Sequence, residues 1–325
     1  ALHSSLVALG IGADDEVIVP AFTFAASANV VEHQGAKPVF VDIDPKTFNI
    51  DPLKTEKAIT EKTKAIMPVH LFGLSADMGK IMKIAKKYKL FVIEDAACAL
   101  GTKYRDKHVG TFGDTGCFSF HPRKSITTGE GGIIITNSKK LVQKLISLRD
   151  HGATISDLSR HKKSGFKLSD HNLVGFNYRM TDIQGAIGVE QMKKIPFILK
   201  ERKRKALIYN RVFKNNPYFS IPFVPKYSNH TYQSFILKIK EKGPISRDKL
   251  AETLIENGVS LRPGTQNVPR LGDYRKKYDC GSSDFPESFK AENQTITFPL
   301  FADMSDREQS FIIKTSDRDY SYVVN

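Results

Sequence analysis

A lysine and an aspartate stand at the ends of two predicted strands in the first half of the chain. Asp95 closes the apolar run Phe91–Glu94. Lys124 follows the predicted strand Gly116–Phe120 after a bend that contains a proline. Ligands of open α/β sheets bind beyond the carboxyl ends of the strands, so both residues are candidates for one site. Such a pair suits pyridoxal phosphate, which forms a Schiff base with a lysine amine and keeps its pyridine nitrogen protonated beside an acid.

Two further side chains near strand ends could contact the same cofactor. Ser119, at the end of its strand, could donate its hydroxyl to a phosphate group. Phe24 could stack on an aromatic ring, although burial in the core explains it equally well. Taken alone, Asp95 could cap a helix over Ala96–Leu100, and Lys124 could be a surface lysine. The combination of these side chains is therefore stronger evidence than any one of them.

Short apolar runs alternate with helical patterns from residue 16 to about residue 137, which indicates a layered α/β domain. Several runs are apolar on both faces, as strands of a covered parallel sheet must be. The predicted strands are Glu16–Pro20, Pro38–Ile43, Ala65–Leu71, Phe91–Glu94, Gly116–Phe120 and Gly132–Thr136. A helix is predicted over Ala76–Tyr88, where apolar residues fall on one stripe.

The pattern changes in the second half of the chain. The elements predicted there are the helices Thr181–Lys194, Pro196–Asn215 and Ser246–Asn257 and the strands Ser234–Lys240 and Thr295–Pro299. They indicate a smaller α+β domain behind a long linking helix. We therefore divide the chain into a large cofactor-binding α/β domain, 1–195, and the linking helix with the small domain, 196–325.

The chain of 325 residues has a formal net charge of +14, which invites a nucleic-acid hypothesis. Its lysines are spread along predicted helical faces, which favours solvated surface, and a basic field equally suits an anionic substrate such as a nucleotide sugar. Three widely spaced cysteines, Cys98, Cys117 and Cys280, predict neither a disulfide framework nor a metal site. No apolar run approaches the ~20 residues of a membrane span, so we expect a cytoplasmic protein.

Ordered blocks of the sequence resemble the DegT/DnrJ/EryC1/StrS family of pyridoxal-phosphate-dependent sugar aminotransferases. The blocks are Val17–Phe24, Pro38–Asp44, Pro68–Gly73, Ile93–Gly101, Phe118–Lys124, Gly175–Met180 and Arg262–Thr265. The resemblance implies an aspartate-aminotransferase-like fold of type I and a homodimer with shared active sites. The family's Gly-Thr phosphate-binding element would precede Ala1, so we expect the N-terminal part of the large domain to lie outside this chain.

The resemblance also implies a role for each candidate residue. By carry-over, the Schiff-base lysine is Lys124, and the cofactor-binding residues are Asp95 at the pyridinium, Ser119 at the phosphate, Phe24 on the ring, Cys98, and Asn177 and Arg179, which would reach the neighbouring subunit's site. Cys98 stands where the family often has Gln, His or Glu, so its polar contact over the ring would be weaker. The substrate-side candidates are His151, Tyr178 and His230.

The function implied is transfer of an amino group from an amino acid, L-glutamate, to a keto-sugar nucleotide. Such a step belongs to amino- or deoxy-sugar biosynthesis for a surface polysaccharide or a glycosylated metabolite. One alternative is a sugar dehydratase of the same family, in which histidine replaces the lysine; His121 keeps this open. Another is a non-catalytic regulatory or binding homologue. The presence of both Asp95 and Lys124 argues against it, because a binding protein needs neither residue. A nicotinamide dehydrogenase is poorly supported, since no early strand is followed by GxGxxG.

Overall fold

The computed structural model describes residues 1–154, 170–241, 243, 245–281 and 283–322. The strands are β1 (Glu16–Pro20), β2 (Phe22–Thr23), β3 (Lys37–Val41), β4 (Thr63–Ile66), β5 (Phe91–Asp95), β6 (Lys103–Tyr104), β7 (Lys107–His108), β8 (Thr115–Ser119), β9 (Gly132–Ile135), β10 (Phe219–Ser220), β11 (Phe235–Ile239), β12 (Arg262–Pro263), β13 (Gln266–Asn267) and β14 (Thr295–Phe298).

The α-helices among these residues are α1 (Leu2–Leu9), α2 (Ala26–His33), α3 (Pro52–Lys57), α4 (Met78–Tyr88), α5 (Lys139–Leu148), α6 (Asp182–Lys193), α7 (Ile195–Phe213), α8 (Arg247–Glu256), α9 (Gly272–Tyr278), α10 (Pro286–Gln294) and α11 (Asp306–Tyr322). Short 3-10 helices cover Leu71–Gly73 and Val268–Arg270. None of the described helices is both long and apolar enough to cross a membrane.

A six-stranded sheet in the order β3-β1-β4-β5-β8-β9 forms the centre of the large lobe. Neighbouring strands are parallel, except that β9 runs antiparallel to β8. Every residue of β1 is buried, as expected for a strand covered on both faces. The sheet confirms the predicted α/β fold. It also places Asp95 of β5 beside Cys117 of β8, so the two strands that precede the candidate residues are neighbours.

The predicted strand Ala65–Leu71 is too long. β4 ends at Ile66 because Pro68 lacks the N–H that a ladder needs, and the chain turns into the 3-10 helix at Leu71. The segment still follows the sheet: the amide of Asp95 donates to the carbonyl of Pro68 at 2.9 Å, and the amide of His70 donates to the carbonyl of Asp95 at 2.9 Å. Isolated bonds of this kind hold the end of β5 in place without a continuous strand.

The second lobe is built on an antiparallel sheet in the order β10-β11-β14-β12. Its core is aromatic: Tyr209 of α7 packs on Phe235 of β11 with ring centroids 4.9 Å apart, and Phe298 of β14 lies on the same cluster. The two long predicted helices are confirmed as α6 and α7, which meet at Lys194. α7 therefore packs on the second sheet and links the two lobes.

The chain returns to the large lobe between β12 and β14. β13 pairs with β2, which places Gln266 opposite Thr23. Beyond it, the Ser288 hydroxyl donates to Asp42 at 2.7 Å, and Tyr274 joins the core of the large sheet. The predicted division at residues 195 and 196 does not include this return, because it depends on packing between distant segments.

Candidate active site

Lys124 is held by a tight turn that follows β8. Its amide donates to the carbonyl of His121 at 2.9 Å, and the amide of Arg123 donates to Nδ1 of the same histidine at 3.1 Å. The lysine side chain is half-buried, and its Nζ lies 3.2 Å from Sγ of Cys98. The backbone of the turn thus aims a primary amine at the segment that follows β5.

Asp95 is buried at the carboxyl end of β5. One carboxylate oxygen accepts a hydrogen bond from the Ser27 hydroxyl at 2.8 Å, and the other accepts one from the amide of Ala97 at 3.1 Å. Residues 96–100 form turns and not a helix, so Asp95 caps a turn. Because that turn carries Cys98, the structure brings the carboxylate and the Lys124 amine to the same end of the sheet.

Ser27 is a site residue that the sequence motifs did not indicate. It lies in α2, is fully buried, and contacts Thr23 Oγ1 at 3.2 Å as well as Asp95. This hydrogen bond fixes the orientation of the Asp95 carboxylate. No local pattern marks Ser27, since its partner is 68 residues away along the chain.

The neighbouring acid, Glu94, faces the other side of the strand, where it is fully buried and hydrogen-bonded. His70 Nε2 lies 3.0 Å from it, and the amides of Gly110, Phe112 and Gly113 donate to it at 2.7, 2.7 and 2.8 Å. Burial alone would raise the pKa of Glu94, but the His70 hydrogen bond and charge and these amides hold it below the usual value. Glu94 therefore stabilises the loop before β8, whereas Asp95 is the acid on the side of Lys124.

Ser119 and Phe24 both keep groups available for a ligand. Ser119 Oγ is half-buried and accepts one long bond, 3.3 Å, from the amide of His121. Its hydroxyl hydrogen has no partner among the described residues. Phe24 is 66% exposed, so burial in the core does not explain it. The ring directly follows β2 and is open to contact with a ligand or another chain.

A cavity of about 760 Å³ opens between the two lobes, with Lys124 in its wall. Four other basic side chains line it: Arg123, Lys194, Arg202 and Arg262. The acidic side chain among the lining residues is Asp303. Of the residues singled out from the sequence, Lys124 alone is among those lining residues. Lys124 thus lies in the wall of a strongly positive cleft, which favours anionic ligands.

The Asn-Tyr-Arg block forms a separate cluster on an exposed surface. The backbone of Asn177 forms an isolated antiparallel β-bridge with Asp150. The Arg179 guanidinium forms an ion pair with the carboxylate of that aspartate. Tyr178 stacks on Phe176 with centroids 4.9 Å apart, and its hydroxyl lies 3.1 Å from His3. None of the three lines the cavity within this chain.

His151 and His230, the two histidines predicted on the substrate side, lie in different surroundings. His151 is exposed next to Asp150, and its φ of 55° shows that it forms a turn. His230 is buried between the lobes and stacks on Tyr232 with centroids 4.0 Å apart. Burial lowers the pKa of His230 to about 3, so its ring is neutral. Neither histidine lines the cavity, and His230 packs in the protein interior against Tyr232.

The side chains around Lys124 fit pyridoxal phosphate. The amine and the buried carboxylate lie at one end of the sheet. A hydroxyl whose hydrogen has no partner among the described residues ends β8, and an exposed aromatic ring follows β2. In pyridoxal phosphate, the aldehyde requires an amine, the pyridine nitrogen a carboxylate, the phosphate a hydrogen-bond donor and the ring face an aromatic side chain. No group of three or more His, Cys, Asp or Glu side chains that could hold a metal ion occurs within the described ranges.

Comparisons with known proteins agree with this chemistry. The model of the DegT/DnrJ/EryC1/StrS aminotransferase family matches residues 1–316. The chain is similar to GDP-perosamine synthase of Escherichia coli O157:H7, with 38% identity over 321 residues, 99% of this chain and 83% of that protein. PseC of Helicobacter pylori, an aminotransferase involved in the biosynthesis of pseudoaminic acid, superposes with a TM-score of 0.90 and 29% identity over 99% of this chain and 85% of that one. Spr1654 of Streptococcus pneumoniae in its PLP form gives a TM-score of 0.91 and 28% identity over 100% and 86%.

Proposed function

The chain belongs to the DegT/DnrJ/EryC1/StrS aminotransferase family and has its type I fold, and from that premise we propose that it transfers an amino group from L-glutamate to a keto-sugar nucleotide. The observation that most supports this is the Lys124 amine at the end of the sheet that carries the buried Asp95 carboxylate. One named relative is a GDP-perosamine synthase and another is an aminotransferase involved in the biosynthesis of pseudoaminic acid, which supports a role in building a surface polysaccharide or a glycosylated metabolite. The proposed compartment is the cytoplasm.

The residues that would hold pyridoxal phosphate are Lys124 through its ε-amine, Asp95 at the pyridine nitrogen, Ser119 at the phosphate, Phe24 on the ring and Cys98 beside the amine. When bound, the cofactor supplies an aldehyde that condenses with primary amines and a ring that accepts an electron pair. Asp95 is suited to its position because the Ser27 hydroxyl and the Ala97 amide fix the orientation of its carboxylate. It would accept a hydrogen bond from the protonated pyridine nitrogen.

The chain's own residues then account for proton transfer and substrate binding. When Lys124 Nζ is not bonded to the cofactor, it is the base that takes the proton from the α-carbon of the amino donor. Its turn keeps the amine near the cavity that both substrates must enter in succession. The basic side chains of that cavity attract the carboxylates of glutamate and the phosphates of a nucleotide sugar.

A homodimer is part of this proposal, and α6 supports it. None of the twelve residues of α6, all of them described, is buried, and four apolar side chains, Ile183, Ile187, Val189 and Met192, are exposed. A helix with this much exposed apolar surface is expected to pack against another chain. Asn177, Tyr178 and Arg179 lie three to five residues before α6, so a partner chain packed on α6 would lie close to them.

The dehydratase alternative finds less support. In that class a histidine takes the place of the lysine, and the nearest candidate is His121. Its Nδ1 accepts the amide hydrogen of Arg123, and its Nε2 lies 3.8 Å from Glu130. The imidazole is thus engaged in its own turn, whereas Lys124 extends its amine towards Cys98.

Two measurements test the proposal. Protein saturated with pyridoxal phosphate is reduced with borohydride, digested and examined by mass spectrometry; the pyridoxyl group is expected on Lys124. The variant Lys124→Ala should lose both this label and the visible absorption of bound cofactor. Lys144→Ala is the matched control, because Lys144 is another half-buried lysine whose amine donates to the carbonyl of Ala8.

The second measurement assays a panel of keto-sugar nucleotides with glutamate and detects the aminated sugar by its mass. Production of 2-oxoglutarate together with an aminated product supports the proposal. Labelling of a lysine other than Lys124, or loss of water from the sugar without amination, would overturn it.

A further inference from the structure

Arg202 of α7 is a buried cation in the wall of the cavity between the lobes. Its side chain is 8% exposed, and no carboxylate pairs with it in the part of the chain that the structure describes. Nη1 donates to the backbone carbonyls of Tyr232, Gln233 and Leu300 at 3.2, 3.0 and 3.0 Å. Nε is buried and has no hydrogen-bond partner in the described part of the chain. Nη2 makes no hydrogen bond to the described residues and is not among the fully buried atoms.

This arrangement is costly without an anion. Burial lowers the pKa of Arg202 to about 10, which still leaves the guanidinium charged at neutral pH. Carbonyl dipoles offset part of the lost hydration, but a buried charge is normally paired with an opposite charge. The cavity beside Arg202 is the route by which such a charge can arrive.

Arg202 is one of three side chains on one face of α7 that hold the helix against residues 299–302. Arg202, Lys205 and Tyr209 donate to the carbonyls of Leu300, Ala302 and Pro299 at 3.0, 2.5 and 3.0 Å. Residues 299–302 also line the cavity. The cavity wall and the guanidinium are therefore held together as one rigid unit, which lowers the entropic cost of binding a ligand there.

Arg262 is a second guanidinium in the same cavity that has no ion-pair partner among the described residues. It lies on β12, opposite Thr297 of β14, and is exposed. It makes no ion pair and no side-chain hydrogen bond to any described residue. Arginine presents a planar fork of N–H donors that matches the two oxygens of a carboxylate or a phosphate.

We infer that Arg202 and Arg262 form a binding site for an oxyanion of a substrate, either the carboxylate of the amino donor or the diphosphate of the sugar nucleotide. The choice of these two ligands rests on the proposed function. Oxyanion binding itself requires no turnover, so the site can be tested separately. Arg262 supplies the accessible fork, and Arg202 supplies a fixed positive charge in the wall behind it.

The test measures binding of two unreactive probes, glutarate and inorganic pyrophosphate, by calorimetry. The full chain is first saturated with pyridoxal phosphate, so that the cofactor's own phosphate does not compete for the site. Arg262→Gln is expected to weaken binding of one probe about tenfold, the loss typical of one charge-assisted contact. The affected probe identifies the source: glutarate indicates the donor carboxylate, and pyrophosphate indicates the diphosphate.

Matched variants separate this site from general charge effects. Arg211→Gln removes an exposed arginine of α7 that has no ion pair with any described residue and does not line the cavity. It should change either affinity less than twofold. Arg202→Lys keeps the charge and Arg202→Gln removes it, so the second should weaken the same probe more. If the Arg202 variants do not fold, the comparison of Arg262→Gln with Arg211→Gln decides the result.

Two outcomes overturn the inference: neither probe binds the unaltered protein, or Arg262→Gln binds both probes as tightly as Arg211→Gln does. Failure of the proposed function gives a different result. In that case probe binding still depends on Arg262, but no keto-sugar nucleotide is aminated. Normal amination combined with probe binding that does not depend on Arg262 would leave the function standing and remove this site.

Discussion

The ε-amine of Lys124 lies 3.2 Å from the thiol of Cys98, within the turn that Asp95 caps. Cys98 is a small side chain that carries a nucleophilic thiol. Through Cys98, this contact connects Lys124, which follows β8, to the turn that begins at Asp95, the last residue of β5. It also places a modifiable thiol within the proposed cofactor site.

Alkylation of Cys98 is therefore expected to block cofactor binding. Iodoacetamide adds a bulky amide to a partly exposed thiol, and here the adduct would occupy the space around the Lys124 amine. We expect treated protein to lose most of its capacity for pyridoxal phosphate, as measured by visible absorption after reconstitution. Prior saturation with the cofactor should protect the thiol.

The other two thiols provide internal controls. Cys117 is buried, and desolvation raises its pKa to about 12; burial, followed by the Asp284 and Asp279 carboxylates, raises the pKa of Cys280. Peptide mass spectrometry should find Cys117 unmodified and Cys98 modified when binding is lost. Cys98→Ser protein that still loses cofactor binding under the reagent would disprove this explanation.

Ser27→Ala is expected to reduce transamination without preventing folding. The change removes the hydroxyl that orients Asp95 at 2.8 Å, and we expect kcat/KM to fall about tenfold. Ser288→Ala is a close control, because Ser288 is also a buried serine that donates to a carboxylate, Asp42, at 2.7 Å.

Both serine variants should lose about 1–3 kcal/mol of unfolding free energy in urea titrations, the usual cost of a buried hydrogen bond to a charged group. Only Ser27→Ala should lose activity. Equal activity in the two variants at equal stability would show that Ser27 does not act through Asp95.

Ile183→Asp is expected to dissociate the proposed homodimer. Ile183 is 76% exposed in the single chain, and a carboxylate at this position would be buried without a partner if α6 packs on a second copy. Sedimentation velocity should show a dimer for the unaltered protein and a monomer for the variant. Ile255→Asp, at an exposed isoleucine of α8, should leave the dimer intact. A dimer that survives Ile183→Asp would place the interface elsewhere.

His230 is expected to make the protein less stable in mild acid. The pKa of its ring is about 3 in the folded protein and near 6.5 when unfolded. Between these values the unfolded chain binds a proton that the folded chain excludes. The unfolding free energy should therefore fall as pH is lowered below 6.5, by up to about 1.4 kcal/mol per pH unit.

The measurement is urea unfolding at intervals from pH 7.5 to pH 5. His230→Phe keeps a ring that can stack on Tyr232 but cannot take up a proton, so its stability should depend less on pH. His108→Phe, at an exposed histidine, should keep the slope of the unaltered protein. Identical slopes for all three proteins would mean that His230 is not the group responsible.

Local pattern was sufficient to predict most of the large lobe. β1, β5 and β8 were predicted to within one residue of their observed ends, because continuous apolar runs with turn signals on both sides leave few other structures open. The exceptions were also local in origin. Pro68 ends β4 early, and Asp95 caps a turn and not a short helix over residues 96–100.

The sequence by itself determined the chemical type of the site, since Asp95 and Lys124 follow strands whose order in a parallel sheet places their carboxyl ends together. Only the tertiary structure decided which groups surround that pair. Ser27 reaches Asp95 from α2, Cys98 meets Lys124 across two strand ends, and Arg202 is buried among carbonyls from segments 30 and 98 residues away. The physical reason is that burial and hydrogen bonding between distant segments are properties of packing, which the spacing of residues along the chain does not encode.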